Sequence, residues 1–373
     1  MPLFAILRKT SDFWKPLMGF MDRQGNVKIE PQFLNTVLYQ RKVFSDAGYT
    51  VVQRPGAKQP IVIDEGGETV FEFPKDHQPI NFAAPDAHGI FGVVHEVDAG
   101  NQELWKLDGR EFYFLGETRY YAMRIDGSIA FEAYISKAMN GFYVFSKSPK
   151  ATEKRGLMNH EGQVIIPPIY DRISLSQTDP YVTVVKDGAA NILTYEGSPV
   201  FPRSFQIDDP FFLPTVEDGL WIVAKSDQSH ADVYDVASTA VIGQLPMTFS
   251  SPTLPIVIPR LSGGVVRIND ACKGSMYLYP DGRPVMPGVS GRPRWFKPEM
   301  QTGDFHDGRA SFRLGKVSGY LDLSGEAAIA AQFNSDHPFQ HGLARVRYPA
   351  DGNSLDRYSY IDREGNVVWH QEY

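Results

Sequence analysis

The sequence predicts an all-β fold of tandem antiparallel β-hairpin or meander repeats of about 40 residues, arranged as a propeller-like array or an open β-solenoid arc. Two recurring markers indicate it: a glycine that opens an alternating strand, and an Asp-x-x-Gly turn roughly twenty residues later. Such a turn between alternating segments is typical of a hairpin, because glycine adopts the positive φ that the turn needs. No segment has sustained helical periodicity.

The two markers are clearest near the C-terminal end of the sequence. One copy of the repeat opens at Gly308 and has its turn at Gly325, and the next opens at Gly342 and has its turn at Gly365. In each copy a short alternating strand precedes the turn and another follows it. We therefore expect each repeat to form three or four short antiparallel strands.

The same markers extend along the whole chain. Opening glycines recur about every 42 residues, and Pro180 stands where one further copy is expected; the glycines are Gly48, Gly89, Gly141, Gly219, Gly264, Gly308 and Gly342. The predicted turn glycines are Gly25, Gly67, Gly109, Gly162, Gly197, Gly282, Gly325 and Gly365. A first unit without an opening glycine precedes the turn at Gly25. We therefore predict a single array of about nine units over residues 1–373, stacked because one unit cannot bury both its faces.

Three segments depart from the repeat. Residues 121–129 predict an extra hairpin in the third unit, and residues 234–238 form a turn copy without glycine. Residues 288–300 predict a basic loop with Arg292, Arg294, Trp295 and Lys297.

Composition and charge narrow the class of protein. Hydrophobic residues make up 42% and charged residues 22% of the chain, as in soluble globular proteins. The net charge of −7 argues against a nucleic-acid partner and is compatible with a basic one. The single cysteine, Cys272, excludes an intramolecular disulfide framework.

The N-terminal segment predicts a cytoplasmic protein with no membrane partner. Its apolar stretch is too short for a secretion signal, and Arg8 and Lys9 follow it instead of preceding it. No stretch of about 18 uncharged apolar residues occurs in the sequence.

Two phrases of the sequence resemble the WG-repeat family of bacterial proteins. Residues 156–171 read GLMNHEGQVIIPPIYD and residues 339–346 read FQHGLARV. The Trp-Gly pair of the family is replaced by Arg155-Gly156 and Ser318-Gly319. The resemblance, close in units one, four, eight and nine, implies a β-repeat interaction protein without a shared catalytic centre. It also implies, for some members, a place beside bacterial toxins as presumed immunity proteins.

The residues that could carry chemistry do not form a recognisable motif. His306, Asp307, Asp336, His337 and His341 could ligate zinc or manganese. However, His306 and His341 fall at polar turn positions that the repeat itself explains. We therefore expect no metal and no other cofactor.

Nucleophilic catalysis is not indicated either. Cys272 has no local base and is expected to be a small buried residue. Ser318 and Ser290 lack the G-x-S-x-G elbow. No phosphate-binding glycine loop or dinucleotide fingerprint occurs, so we predict no catalytic residues.

One segment is typical of an interface. Between residues 207 and 218, acidic groups bracket two aromatics in a connection that contains proline, and aromatics anchor interfaces while peripheral charges steer a partner. The alternative is that the aromatics only cover the stack between units. The predicted partner-binding residues are Asp208, Asp209, Phe211, Phe212, Glu217 and Asp218.

Two functions follow from these patterns. The first is a non-catalytic protein-binding protein and, in the most specific form, which the family resemblance implies, an immunity protein that neutralises a basic cognate toxin by tight binding. The second is an enzyme acting on glycans, with its site on the concave face or in a central channel of the array. Fold alone does not decide between them.

Overall fold

The computed structural model contains only β-structure in the residues it describes. The model describes only the backbone, without side chains, for residues 94–107, 110–119, 138, 248–251, 254–257 and 260. The described residues are 3–8, 10, 16–34, 44–45, 47–75, 77–79, 85–107, 110–148, 150, 152–176, 178–207, 215–224, 229–251, 254–257, 259–270, 272–288, 292–349 and 358–371. The predicted all-β class, built of tandem antiparallel units, is confirmed.

The chain divides into two compact units, Met1–Ile173 with Glu372–Tyr373, and Ser174–Gln371. The prediction of one array over the whole chain stays a prediction.

The first unit contains four antiparallel sheets in which neighbouring strands follow one another along the chain. The first two sheets have three strands each: β1 (Phe4–Arg8), β2 (Leu17–Met21) and β3 (Val27–Leu34), then β4 (Tyr49–Val52), β5 (Ile61–Asp64) and β6 (Thr69–Glu72). The next two have four each: β7 (His77–Pro79), β8 (Ile90–Leu107), β9 (Arg110–Arg124) and β10 (Ile129–Glu132), then β11 (Tyr134–Met139), β12 (Phe142–Ser146), β13 (Arg155–Asn159) and β14 (Val164–Tyr170).

The fifth and sixth sheets follow the same meander. They are β15 (Arg172–Leu175), where the chain passes from the first unit to the second, β16 (Tyr181–Lys186), β17 (Ala189–Thr194) and β18 (Phe205–Gln206), then β19 (Val216–Glu217), β20 (Leu220–Ala224), β21 (His230–Asp235) and β22 (Val241–Pro246). A separate two-stranded hairpin follows, β23 (Thr248–Ser251) and β24 (Leu254–Val257).

Three further sheets complete the second unit. They are β25 (Arg260–Ser262), β26 (Val265–Asp270) and β27 (Gly274–Leu278); β28 (Met300–His306), β29 (Arg309–Leu314), β30 (Val317–Leu321) and β31 (Ala327–Phe333); and β32 (Ser335–Asp336), β33 (Ala344–Arg347), β34 (Tyr358–Ile361) and β35 (Val367–His370). Leaving out the β23–β24 hairpin, the described residues form nine meander sheets, as the repeat count predicts.

Five of the opening glycines lie in tight turns between the first two strands of their sheets: Gly141, Gly219, Gly264, Gly308 and Gly342. At Asp218-Gly219 the two φ angles are 51° and 73°, and at Asp307-Gly308 they are 51° and 77°. Two consecutive positive φ angles are the signature of a type I′ turn, which matches the twist of the strands it joins. This turn explains the glycine at these five positions, whereas the residues before Gly48 and Gly89 do not have a positive φ.

The described Asp-x-x-Gly turns have the predicted geometry and join the last two strands of their sheets, except the turn at Gly282, which follows the last strand, β27. Asp362 Oδ1 accepts hydrogen bonds from the backbone N–H groups of Glu364 at 3.0 Å and Asn366 at 2.8 Å. Gly365 follows with φ 87°. The other predicted turn glycines within the described residues, Gly25, Gly67, Gly162, Gly197, Gly282 and Gly325, have φ between 80° and 86°. Gly109 lies outside the described residues.

The prediction for the third unit assigns the two hairpins the wrong way round. The turn at residues 125–128, with Gly127 at φ 85°, joins β9 to β10 and is the unit's own repeat turn. The hairpin predicted at Gly109 is instead part of an insertion, in which β8 and β9 continue together well past the rest of the sheet. Both turns have an Asp-Gly pair, so local turn chemistry does not distinguish them.

In the turn copy without glycine, a threonine adopts the left-handed conformation. Thr239 has φ 58°, which is unfavourable for a β-branched residue. Asp235 Oδ1 accepts a hydrogen bond from the backbone N–H of Ser238 at 2.7 Å and holds the turn.

A second class of glycine has an ordinary φ and is required by close packing of backbone. The pairing of β30 with β31 shifts register between Ser318 and Tyr320, which is a β-bulge. A Cβ at Gly319 would lie 2.8 Å from the backbone of Ala330 and of Ala331. Gly19 and Gly156 lie at the equivalent bulges of β2–β3 and β13–β14.

The cores lie between successive sheets, where alternate side chains of the short strands are buried. In the second unit, the fully buried Trp221 packs with Phe201, Phe205 and Tyr234, with ring centroids 5.1 to 6.2 Å apart. Such aromatic clusters explain how small sheets become stable by stacking.

The predicted basic loop closes the sheet of β25 to β27. Ser275 and Phe296 exchange two backbone hydrogen bonds, of 2.9 and 2.7 Å. Arg294 Nη1 donates to Glu326 Oε1 at 3.0 Å, so this basic group is already paired.

Within the described part of the chain there is no helix long and apolar enough to cross a membrane.

Candidate partner-binding surface

The structure describes two of the six predicted partner-binding residues. Glu217 ends β19, and Asp218 begins the type I′ turn into β20. Asp208, Asp209, Phe211 and Phe212 lie outside the described residues.

The turn that carries Asp218 is tied to the connection between β15 and β16. The backbone N–H of Asp218 donates to Thr178 Oγ1 at 2.8 Å. Thr178 Oγ1 in turn donates to Asp179 Oδ2 at 2.6 Å, and Ser176 Oγ donates to the same oxygen at 3.1 Å. This chain of hydrogen bonds holds Asp179 near the two predicted carboxylates.

Three carboxylates of the second unit act on that of Glu217, and we name the four residues the acidic surface: Asp179, Glu217, Asp218 and Asp304. Burial is the largest cause that raises the pKa of Glu217 above its ordinary value, and the negative charges of the other three raise it further. The Glu217 carboxylate is about half buried. No described residue forms an ion pair with it.

Asp304 is the one member of the acidic surface that has a cationic partner in the described structure. Arg267 Nε lies 2.7 Å from Asp304 Oδ1, and Arg267 also donates to the carbonyl of Thr302. The acidic surface therefore contains four carboxylates and one ion pair, that of Arg267 with Asp304, so it keeps a net negative charge. A positively charged group brought to Glu217 would relieve repulsion between like charges.

Sequence reasoning missed Asp179 and Asp304. Asp179 precedes Pro180, the position at which the repeat replaces its opening glycine, and this departure was the available signal. Asp304 lies within β28 and has no local signal, because only the stacking of sheets brings it near Glu217.

Two of the candidate metal ligands, Asp307 and Asp336, are engaged in other contacts. Asp307 Oδ2 accepts a hydrogen bond from the Gly342 N–H at 2.7 Å, and Asp336 Oδ1 lies 3.2 Å from Arg313 Nη2. Among the described residues, no three His, Cys, Asp or Glu side chains are grouped to hold a metal ion.

Cys272 is exposed, and the expectation that it is buried is wrong. It lies in the turn between β26 and β27, where its backbone N–H donates to Asp270 Oδ1 at 2.9 Å. The expectation assumed that Cys272 lies within a strand, whereas it lies in a turn.

The first unit contains a separate cavity of about 770 Å³ between its third and fourth sheets. Its wall combines the aromatic rings of Tyr120, Tyr121 and Phe145 with the carboxylates of Glu132 and Glu153. Lys147 and Lys154 also line it, and Lys154 is paired with Asp171. The size is that of small-molecule sites.

The family model described as WG containing repeat matches residues 18–33, 156–188 and 319–348. The chain carries WG repeats in these three regions. Each match includes one of the three glycines at the β-bulges, Gly19, Gly156 and Gly319. No curated protein matches this chain in sequence.

Several solved structures are similar to this chain. A structure described as the eukaryotic initiation factor has a TM-score of 0.54 at 10% identity, covering 100% of this chain and 96% of that one. The computationally designed Ika8 protein has a TM-score of 0.39 at 10% identity, covering 72% and 85%. Hsv2 of Kluyveromyces lactis has a TM-score of 0.38 at 10% identity, covering 65% and 87%. The first likeness supports the propeller-like class, and at this identity it shows fold alone.

Proposed function

We propose that this protein is a non-catalytic binding protein that takes a basic protein partner on the acidic surface. The most specific form of the proposal is a bacterial immunity protein, acting in the cytoplasm, that neutralises a cognate toxin by tight one-to-one binding. The toxin role comes from the family resemblance, and the basic character of the partner comes from this chain.

The observation that carries the proposal is the environment of Glu217. Its carboxylate is half buried beside three other carboxylates, which disfavours its ionised form. This arrangement of carboxylates does not stabilise the isolated protein. An arginine or lysine of a partner would pair with Glu217 and remove the unfavourable interaction, so complex formation is favoured at this point.

The net charge of −7 supports the same reading. Opposite charges raise the rate at which two proteins meet, and they contribute less to holding the complex together. A toxin that attacks nucleic acid would have a basic cleft, which acidic groups could block.

The test begins with capture of the partner by the purified chain from the source strain, followed by titration with the purified partner. The double variant Glu217→Gln with Asp218→Asn removes two charges and keeps the turn, because asparagine tolerates the φ of 51°. We expect its Kd to rise at least about tenfold.

The matched control removes two acidic charges from exposed turns outside the acidic surface. Glu161→Gln with Glu364→Gln gives the same net charge. If both double variants weaken binding equally, the affinity depends on the net charge of the protein and not on the acidic surface. Unchanged affinity in the Glu217 variant would remove the proposed site.

The cavity of the first unit favours a second candidate function, binding or hydrolysis of a glycan. Aromatic rings and two carboxylates, Glu132 and Glu153, line one cavity, and paired carboxylates are the catalytic groups of most glycosidases. Turnover of a glycan that is lost in Glu132→Gln or Glu153→Gln would support this function and contradict the binding-only proposal.

A further inference from the structure

The cavity of the first unit places aromatic rings beside charged groups on both of its walls. On the side of the third sheet, Tyr121 of β9 pairs directly with Glu132 at the end of β10, so the two side chains share a face. On the side of the fourth sheet, Phe145 of β12 and the connection from β12 to β13, which contains Glu153, complete the lining. A ligand in this cavity therefore meets a ring and a carboxylate on either side.

Two of the rings are fixed by contacts within the protein. Phe145 pairs with Gly156 across β12 and β13, and a Cβ at Gly156 would lie 2.6 Å from Cε1 of the Phe145 ring. The glycine therefore leaves the space against which this ring packs. Tyr120 meets Tyr134 edge to face, with ring centroids 5.1 Å apart. Rings that are already held in place bind a ligand without a further loss of side-chain freedom.

The charged groups of the cavity leave an excess of negative charge. Lys154 is neutralised by its ion pair with Asp171. Within the described part of the chain, Glu132, Glu153 and Lys147 form no ion pair. Two carboxylates therefore remain against one ammonium group. A neutral ligand would take water from these carboxylates without supplying an opposite charge, which is unfavourable.

We infer that the cavity binds an amino sugar, a glycan whose sugar rings carry free ammonium groups. Each ammonium group pairs with Glu132 or Glu153 and is attracted by the face of a neighbouring aromatic ring. The apolar faces of the sugars pack on the same rings, as ligands do in pockets lined by aromatic residues. The inference rests on the second candidate function, because it names the class of glycan for that cavity, and it does not involve the acidic surface.

The experiment is calorimetric titration of the full chain at about pH 6, where a primary amine is charged. The two probes are the tetrasaccharide of glucosamine and the same tetrasaccharide with every amino group acetylated, which removes the charges. The glucosamine tetrasaccharide is expected to bind at least about tenfold more tightly, as the loss of one charge-assisted hydrogen bond implies.

A double variant tests the two carboxylates directly. Glu132→Gln with Glu153→Gln should weaken binding of the glucosamine tetrasaccharide at least about tenfold and leave binding of the acetylated one unchanged. The matched control is Glu161→Gln with Glu364→Gln, which removes two acidic charges from turns outside the cavity. This control should change neither affinity.

A variant of the ring tests the aromatic wall independently of charge. Phe145→Leu keeps an apolar side chain beside Gly156 and removes the ring face. It should weaken binding of both tetrasaccharides, whereas the carboxylate variant weakens only one. An unchanged affinity for both would exclude this ring from the site and overturn the inference.

The outcomes separate the inference from the second candidate function. Equal affinity for the two tetrasaccharides would overturn the inference alone, because the cavity would then bind glycans without regard to charge. No binding of either tetrasaccharide would overturn both. Equal weakening by the carboxylate double variant and its control would also overturn the inference, since net charge would explain the affinity. A polyamine that binds as tightly as the glucosamine tetrasaccharide would overturn it as well, because the sugar rings would then contribute nothing.

Discussion

Replacing Gly319 by alanine tests the structural role of the glycine at the β-bulge. The added Cβ would lie 2.8 Å from the Ala330 carbonyl carbon and 2.8 Å from the Ala331 nitrogen. These are backbone atoms, which cannot rotate away as a side chain does. The ladder between β30 and β31 must therefore shift by a few tenths of an ångström to about one, as in an overpacked core.

The expected cost of this change is about 2–3 kcal/mol, within the range for overpacking. For a unit of 150 to 250 residues, each kcal/mol lowers the melting temperature by about 2–4 °C, so we expect a decrease of roughly 4–12 °C. Calorimetry of the purified variant measures it.

A matched control separates crowding from backbone conformation. Gly308 has φ 77°, and a Cβ added there would have no atom within 4 Å. Gly308→Ala therefore carries only the left-handed strain of about 1–2 kcal/mol. A Gly319 variant that melts within about 1 °C of wild type, or one less destabilised than the Gly308 variant, would refute the close-approach explanation.

Three further changes test local physics. Gly325→Val and Gly365→Val each should cost on the order of 1–3 kcal/mol in thermal melts, because a β-branched residue resists positive φ, and an unchanged midpoint would contradict the turn geometry. Glu217→Gln should raise the melting temperature at pH 7, and the gain in the free energy of unfolding should be at most about 1 kcal/mol because water screens a half-exposed carboxylate. The pKa of Glu217 is raised in the folded protein, so its ionised form destabilises the wild-type chain increasingly as pH rises. A gain equally large at pH 3 would contradict this sign. Hydrogen bonding by Asn26 is the largest cause that lowers the pKa of Asp22 to about 2. The ionised carboxylate therefore stabilises the fold above the ordinary pKa of aspartate, and this stabilisation is lost as pH falls towards 2. Asp22→Ala should lower the melting temperature more at pH 6 than at pH 2, and an equal loss at both values would exclude a charge effect.

The parts of the fold that the sequence predicts best are those fixed by neighbouring residues. Gly365 needs a positive φ because of the turn that Asp362 begins, and both residues are within four positions of each other. The same reasoning finds the type I′ turns before β20 and β29. Turns of this kind can be predicted from a single sequence because the residues that form them are close together in it.

The errors occur where distant parts of the chain decide. Two Asp-Gly pairs in the third unit predict hairpins equally well, and only the pairing of β10 with β9 shows which turn belongs to the repeat. Similarly, Asp304 joins Glu217 through the stacking of sheets about 87 positions apart in the chain. Cys272 is exposed because it lies, with Lys273, between β26 and β27 instead of within a strand.

The rate of association with the purified basic partner, measured as a function of salt, tests the central claim most directly. Raising salt from about 0.05 to 0.5 M shortens the screening length from roughly 14 to 4 Å. The association rate should fall markedly while dissociation changes less, and charge reversal at Asp208, Asp209, Glu217 and Asp218 together should lower it further at low salt. Association that is independent of salt, or unaffected by this reversal, would contradict the electrostatic account, and steady turnover of any substrate by the purified chain would contradict binding without catalysis.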